Sequence, residues 1–200
     1  MVVLLSLGLD PSHPDYGSLK RLENKIIEQA RGWQRFKRDI PNLIRQGIDE
    51  VIDTPRTMRF TFDELEKIEK AYLGIKLKIL MRHHLELEHG KVLDVLADGV
   101  EIGMLTTSGR RWAVPKVAIG HPYILIGYDE RTARCSFGLT VFSASRMMNG
   151  LARRRRIVDA EQPHLPVHWM LRDEPYPRNP WEEHLRRHPT LLRILASDPG

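Results

Sequence analysis

The chain has 200 residues, of which 42% are apolar and 28% are charged, so its composition excludes a disordered or fibrous chain and suits one globular domain with a sizeable core. The net charge is only +5, but it is unevenly placed. Residues 107–159 contain ten basic and three acidic residues, which gives this segment +7 and leaves −2 for the remainder. Such a concentration favours a polyanionic partner such as a nucleic acid, although a merely solubilising surface has the same composition.

The cysteine content and the first residues bear on the compartment. The single cysteine, Cys135, excludes an internal disulfide and is typical of a reducing environment. The apolar run at residues 2–9 is too short to cross a bilayer and follows no basic residue, which disfavours a signal peptide. We therefore expect a cytoplasmic protein.

Residues 1–55 are predicted to be helical. Apolar residues recur there with the 3.6-residue period of an amphipathic helix, and Pro41 is expected near the start of the second helix. The two periodic sets are Leu19, Leu22, Ile26, Ile27 and Ala30, and Leu43, Ile44, Ile48, Val51 and Ile52.

A helix over residues 62–85, capped by Thr61 or Asp63, is predicted next. A β-hairpin over residues 92–106 follows it, with Asp98-Gly99 as a type I′ turn. The stripe expected to be buried on the helix consists of Leu65, Ile68, Ala71, Tyr72, Ile75, Ile79 and Leu80.

The remaining elements are predicted in less detail. A turn centred on Pro115 leads to strands over 123–128 and 133–142, and residues 153–156 and the proline-rich stretch to Pro180 are expected to form surface loops. One further strand, over 167–171, and a helix over 181–196 complete the chain. This order predicts an α/β (α+β) fold with a central mixed sheet flanked by helices. We expect a single domain made of a helical part (1–55), a core (56–148), and a basic loop with a C-terminal helix (149–200).

The segments on either side of the hairpin, residues 57–74 and 112–126, make the prediction more specific. Together with the hairpin they resemble the catalytic domain of the NaeI family of type II restriction endonucleases, most clearly over residues 43–145. The resemblance implies a PD-(D/E)xK nuclease fold that binds duplex DNA as a homodimer and hydrolyses it with Mg²⁺. The family's characterised member has a second, helix-turn-helix-type DNA-binding domain. The length of this chain predicts that this domain is missing.

The catalytic motif implied by the resemblance is largely replaced here. Mg²⁺ prefers carboxylate oxygens, and a lysine positions or deprotonates the attacking water. The family's helix glutamate corresponds to Lys78 and its first aspartate to Asp94, whereas Gly103 and Leu105 stand where the second acid and the lysine belong. Of the four, only Asp94 is retained. We therefore expect no bound metal. If one does bind, Asp94 is its expected ligand.

Two arrangements of the surviving residues are possible. Lys78 could pair with Asp94 and fill the metal position with an internal salt bridge, whose contribution to stability is near zero. Alternatively, Asp94, Glu101 and Lys78 could form a rearranged catalytic triad that uses Mg²⁺. In that case Glu101 would replace the lost acid from two residues away along the strand.

Binding of double-stranded DNA by a cytoplasmic protein that cuts poorly or not at all is the predicted function. The alternatives are an active Mg²⁺-dependent endonuclease of a restriction–modification system and a protein–protein interaction module on a nuclease fold. A solvated basic surface is the simpler interpretation of the candidate DNA-binding residues. These are Arg110, Arg111, Lys116, Arg153, Arg154, Arg155 and Arg156.

Overall fold

A computed structural model describes residues 8–109, 111–142, 155–159, 166–188 and 190 of the chain. The helices are α1 (Tyr16–Gln29), α2 (Trp33–Ile52), α3 (Thr54–Thr57), α4 (Lys67–His84) and α5 (Pro180–Arg187), with 3₁₀ turns at Phe62–Glu64 and Lys116–Ala118. The strands are β1 (Glu88–His89), β2 (Val95–Ala97), β3 (Val100–Thr107), β4 (Arg111–Pro115), β5 (Pro122–Asp129), β6 (Arg134–Val141), β7 (Arg155–Asp159) and β8 (His168–Pro175). No helix in these ranges is both long and apolar enough to span a membrane.

The second helix is longer than its sequence pattern predicts. Pro41 lies inside α2, more than two turns after the helix begins at Trp33, so the expectation that Pro41 marks the helix start was wrong. An internal proline removes one backbone hydrogen bond and costs about 3 kcal/mol. Burial outweighs this cost because Phe36 and Ile40, which precede the proline, are both fully buried in the core.

The buried face of α4 also differs from the prediction. A 3₁₀ turn, in which Thr61 and Glu64 form a capping box, precedes the helix, and α4 itself starts at Lys67. The helix buries Leu73, Leu77 and Met81. Of the predicted stripe only Leu65, which precedes α4, is fully buried, and Ile68, Tyr72, Ile75 and Ile79 are exposed. The helix has apolar residues on two opposite faces, and packing against α2 and β3 selects the other one.

The main sheet has the strand order β1-β2-β3-β5-β6-β8, in which β3 and β5 are parallel and all other neighbours are antiparallel. The hairpin turn between β2 and β3 has positive φ at Asp98 (50°) and at Gly99 (75°), as the predicted type I′ turn requires. The first hairpin strand is shorter than predicted, and Asp94 lies in the bend just before β2.

The two faces of the main sheet are covered differently. Helices α1, α2 and α4 bury one face, where Ile102, Met104 and Ile124 join their apolar residues in the larger core cluster. On the other face, Tyr123 and Leu125 pack with Trp112 and Val114 of β4 in a second cluster. The predicted mixed α/β fold is therefore confirmed.

Strands β4 and β7 form a separate two-stranded antiparallel ribbon. The sequence predicted a turn centred on Pro115 and a surface loop over residues 153–156. The structure instead pairs Pro115 with Arg155 and Arg111 with Asp159. Each segment is short, and their pairing joins parts of the chain about forty residues apart, which no local pattern shows.

A C-terminal helix was predicted over residues 181–196. The structure describes α5, which ends at Arg187, and the rest of the predicted range lies mainly outside the described residues.

Candidate functional site

Asp94 lies where the hairpin meets α4, and both of its carboxylate oxygens have partners. Oδ1 accepts a hydrogen bond from Lys78 Nζ at 3.0 Å, and Oδ2 accepts one from the backbone N–H of Met104 at 2.6 Å. The two charged side chains are 28% and 33% exposed, so this ion pair is only partly shielded from water. The first of the two predicted arrangements, an ion pair between Lys78 and Asp94, is thus present.

Glu101, the acid of the alternative triad, is engaged elsewhere. Its Oε1 accepts the backbone N–H of Lys91 at 2.8 Å, and its Oε2 accepts that of Leu93 at 3.0 Å. These hydrogen bonds, from Leu93 first and then Lys91, lower the pKa of the Glu101 carboxyl group below its ordinary value. Glu101 thereby holds the bend that leads to Asp94.

The space beside Gly103 is filled by an aromatic ring. Gly103 on β3 is the parallel neighbour of Tyr123 on β5. A Cβ atom at residue 103 would overlap Cε1 and Cζ of the Tyr123 ring and lie 2.7 Å from its Cδ1. Tyr123 is only 2% exposed, and its ring packs edge-on against Phe142 at 5.3 Å between centroids. No acidic side chain fits at residue 103 while Tyr123 keeps this position.

Leu105 continues the same apolar surface. It is half-buried against the second cluster, which includes Tyr123, Leu125 and Phe142. Burial, followed by the nearby charge of Asp94, raises the pKa of the Tyr123 hydroxyl to about 12, so this group is neutral at physiological pH. The face of β3 that would carry an acid and a lysine therefore carries an apolar surface with one neutral hydroxyl.

Three of the predicted DNA-binding residues belong to the β4–β7 ribbon: Arg111 lies on β4, and Arg155 and Arg156 lie on β7. Arg111 is exposed at the start of β4. Arg110, Arg153 and Arg154 lie outside the described residues, as do the side chains of Lys116, Arg155 and Arg156. At the level of the backbone, the ribbon brings the segment after the hairpin and the arginine-rich segment together.

A groove of about 560 Å³ is lined by residues of β5, β6 and β8 and by Trp112 of the ribbon. Arg134 and Arg172 line it, but Asp129 and Asp173 do so as well, so the charges of its lining balance. The Arg172 guanidinium lies over the Trp169 ring, 5.8 Å from its centroid. Sequence reasoning did not single out these two arginines for the site because they belong to strands far apart in the sequence.

Two other residues near Asp94 were also missed. Tyr123 gave no sequence signal, because its position beside Gly103 follows only from the register of β3 and β5. Arg82 lies four residues after Lys78 on α4, and that spacing alone indicates that both lie on one side of the helix.

This mixed sheet, with helices on one face and an acid-bearing hairpin at its edge, is the fold of restriction-endonuclease-like proteins. The sequence profile described as "Restriction endonuclease NaeI" matches residues 34–194, and the chain belongs to this family. A curated relative, "Type II restriction enzyme NaeI" from Lentzea aerocolonigenes, is 28% identical over 98 residues. That alignment covers 48% of this chain and 31% of the relative, so the chain spans less than a third of that protein's length.

The resemblance to this family implies a Mg²⁺ site, which the residues present do not fit. Asp94 supplies one carboxylate and is already paired with Lys78, and neither Gly103 nor Leu105 has a ligand atom. Within the described ranges, no three His, Cys, Asp or Glu side chains are grouped closely enough to hold a metal ion. A lysine ammonium group close to the same carboxylate also opposes a dication electrostatically.

Proposed function

We propose that this protein binds double-stranded DNA and cleaves it poorly or not at all. The observation that carries the proposal is the Tyr123 ring, which fills the space that a side chain at residue 103 would need. The Lys78–Asp94 ion pair supports the same conclusion because it engages the one acid retained from the family's motif. The chain thus keeps the fold of a nuclease family without the ligands for its metal-assisted hydrolysis.

Support for DNA binding comes from family membership and from the placement of basic residues. The β4–β7 ribbon joins two arginine-bearing segments, and a two-stranded ribbon is narrow enough to enter a major groove. Phosphate contacts release counterions, so affinity for DNA falls linearly with salt on logarithmic axes.

Two assays test this function. Fluorescence anisotropy with a labelled duplex at 50 and 200 mM salt should show binding that weakens with salt. Plasmid incubated with the protein and Mg²⁺ or Mn²⁺ should stay uncut. Robust cleavage that disappears in Asp94→Ala would overturn the impaired-nuclease proposal in favour of an active endonuclease. Absence of salt-sensitive binding would instead favour a protein–protein module.

We also propose that the protein forms a homodimer through the exposed apolar residues in the first half of α4. Ile68 and Tyr72, which are one helical turn apart, are 74% and 50% exposed, and the exposed Ala71 lies beside Tyr72. Neighbouring exposed apolar residues on one helix are typical of an interface. Light scattering should give a dimer for the native protein and a monomer for Tyr72→Glu. Val117→Glu, at an exposed valine away from α4, is the matched control and should remain dimeric.

A further inference from the structure

A cavity of about 420 Å³ opens beside the Lys78–Asp94 pair, between α4 and the start of the hairpin. Ile75 and Ile79 form part of its apolar wall, and the polar groups facing it are Lys78, Arg82, His89 and Asp94. The cavity lies beside Asp94, the residue retained from the family's motif, and beside Lys78, which stands where the motif has an acid.

The charges around this cavity favour an anion. Lys78 and Arg82 are one helical turn apart, and Asp94 is the only acid lining the cavity. Lys78, Arg82 and Asp94 together give the lining one net positive charge. Arg82 forms no ion pair or side-chain hydrogen bond with any residue in the described part of the chain, so its guanidinium donors are available to a ligand.

Lys78 is also able to bind a ligand while it holds Asp94. An ammonium group has three donors, and the bond to Asp94 Oδ1 uses one of them. The lysine side chain is 28% exposed, so its head is accessible from solvent. Lys78 and Arg82 therefore present several N–H donors to one opening.

We propose that this cavity is a metal-independent site for a phosphate group, and that its ligand is a phosphodiester of the DNA backbone. Lys78 and Arg82 supply the positive charge, and Asp94 orients Lys78. In a site built from several carboxylates, the phosphate approaches repelling charges until a metal neutralises them. Here Lys78 stands in place of one of those carboxylates, so a phosphate group can bind without a metal to neutralise the site. This inference rests on the proposed DNA binding.

The test compares variants of the full chain in buffer containing EDTA and in buffer containing Mg²⁺. For the native protein, the Kd for a labelled duplex should be the same in both within about twofold. Arg82→Ala and Lys78→Ala should each weaken binding about tenfold, the value of one charge-assisted hydrogen bond, and should lower the salt slope by about one. Lys76→Ala is the matched control, since Lys76 is on the same helix, pairs with Glu50 and does not line the cavity.

A second probe separates this site from DNA binding as a whole. Inorganic phosphate, compared with chloride at equal ionic strength, should raise the Tm of the native protein but not that of Arg82→Ala. If DNA binding is strong yet unaffected by Arg82→Ala and Lys78→Ala, the phosphate site is overturned and the proposed function stands. If phosphate raises the Tm but no DNA binds, DNA is overturned as the source of the ligand, and the proposed function fails with it. Equal circular dichroism spectra of the variants establish that each is folded.

Discussion

At the scale of single residues, the chemistry of the site depends on one absent side chain. Gly103 lies on β3 next to Tyr123 on β5, and the missing Cβ leaves room for the tyrosine ring to turn into the second apolar cluster. Protein interiors are packed so closely that a single added carbon atom changes the stability of the fold. The glycine and the tyrosine are therefore coupled, and neither is replaced without affecting the other.

Gly103→Ala tests this coupling. We expect it to lower the free energy of unfolding by about 1–3 kcal/mol, because the new methyl group overpacks against a buried ring. The control is Gly17→Ala in α1, where an added Cβ meets nothing within 4 Å and no loss is expected. Urea unfolding of both variants measures the difference. Equal stability of Gly103→Ala and the native protein would contradict the position of the ring.

Glu101 gives a prediction about pH. Its folded-state pKa is below the ordinary value of 4.5, so the carboxylate stabilises the folded state above that pH and loses this effect as the pH falls through the lowered value. Glu101→Gln keeps the shape and removes the charge. The gap in urea midpoint between the native protein and this variant should be largest near pH 7 and should narrow below pH 4.5.

Exposed Glu88 on β1 supplies the control for this experiment. Glu88→Gln also removes one carboxylate charge, so the difference between the two variants isolates the hydrogen bonds that Glu101 accepts. A gap for Glu101→Gln that stays constant from pH 7 to pH 3 would show that the carboxylate does not hold the bend through hydrogen bonds to Lys91 and Leu93.

At the scale of elements, α4 is the helix that organises the site. Its inner face packs on α2 and β3, and its flank carries Lys78 towards the bend before β2. Asp94 joins this flank to β3 through two hydrogen bonds of different kinds, one from an ammonium group and one from the N–H of Met104. Loss of Asp94 leaves the Met104 N–H group without its acceptor, whereas loss of Lys78 leaves the Asp94 carboxylate without its ammonium partner.

Asp94→Ala and Lys78→Ala should therefore have unequal effects on stability. Removing the carboxylate deprives the partly buried Met104 N–H group of its acceptor and should cost about 1–3 kcal/mol. Removing the lysine leaves a partly exposed carboxylate that water can solvate, and should cost less than about 1 kcal/mol. Thermal or urea unfolding of both single variants and of the double variant gives the interaction free energy between Asp94 and Lys78. A larger loss for Lys78→Ala would contradict this account.

At the scale of the whole molecule, the fold extends beyond the segment that the family profile matches. The match begins at residue 34, yet α1, which precedes it, buries Leu19, Leu22 and Ile26 in the larger core cluster. A buried contact also links Glu23 of α1 to His168 of β8, with 2.6 Å between Oε2 and Nε2. The Nδ1 atom of His168 accepts the N–H of Leu9, so the ring proton lies on Nε2 and is donated to Glu23.

A chain that begins at Trp33 is therefore expected not to fold cooperatively. Each of the three buried side chains contributes about 1.5–3 kcal/mol, and their sum is comparable with the total stability of a typical domain. Circular dichroism during urea unfolding checks this, and a synthetic peptide of residues 8–32 added in trans should restore the transition. A truncated chain that unfolds in one sharp step at the native midpoint would contradict the role of α1.

Much of this structure was predictable from local pattern. The periodic apolar residues predicted α1 and most of α2, and the Asp98-Gly99 pair predicted the turn. Short-range regularities of this kind reflect backbone geometry that each segment carries by itself.

The sequence alone determined the long helices, the hairpin and the strands β5, β6 and β8, but not the ribbon strands β4 and β7. Only the tertiary structure decided which face of α4 is buried, that Tyr123 fills the space beside Gly103, and that residues 111–115 pair with 155–159. The physical reason is that a helix with two apolar faces, or a strand with two possible neighbours, satisfies its local preferences in either arrangement. The choice is made by close packing and pairing between residues far apart in the chain.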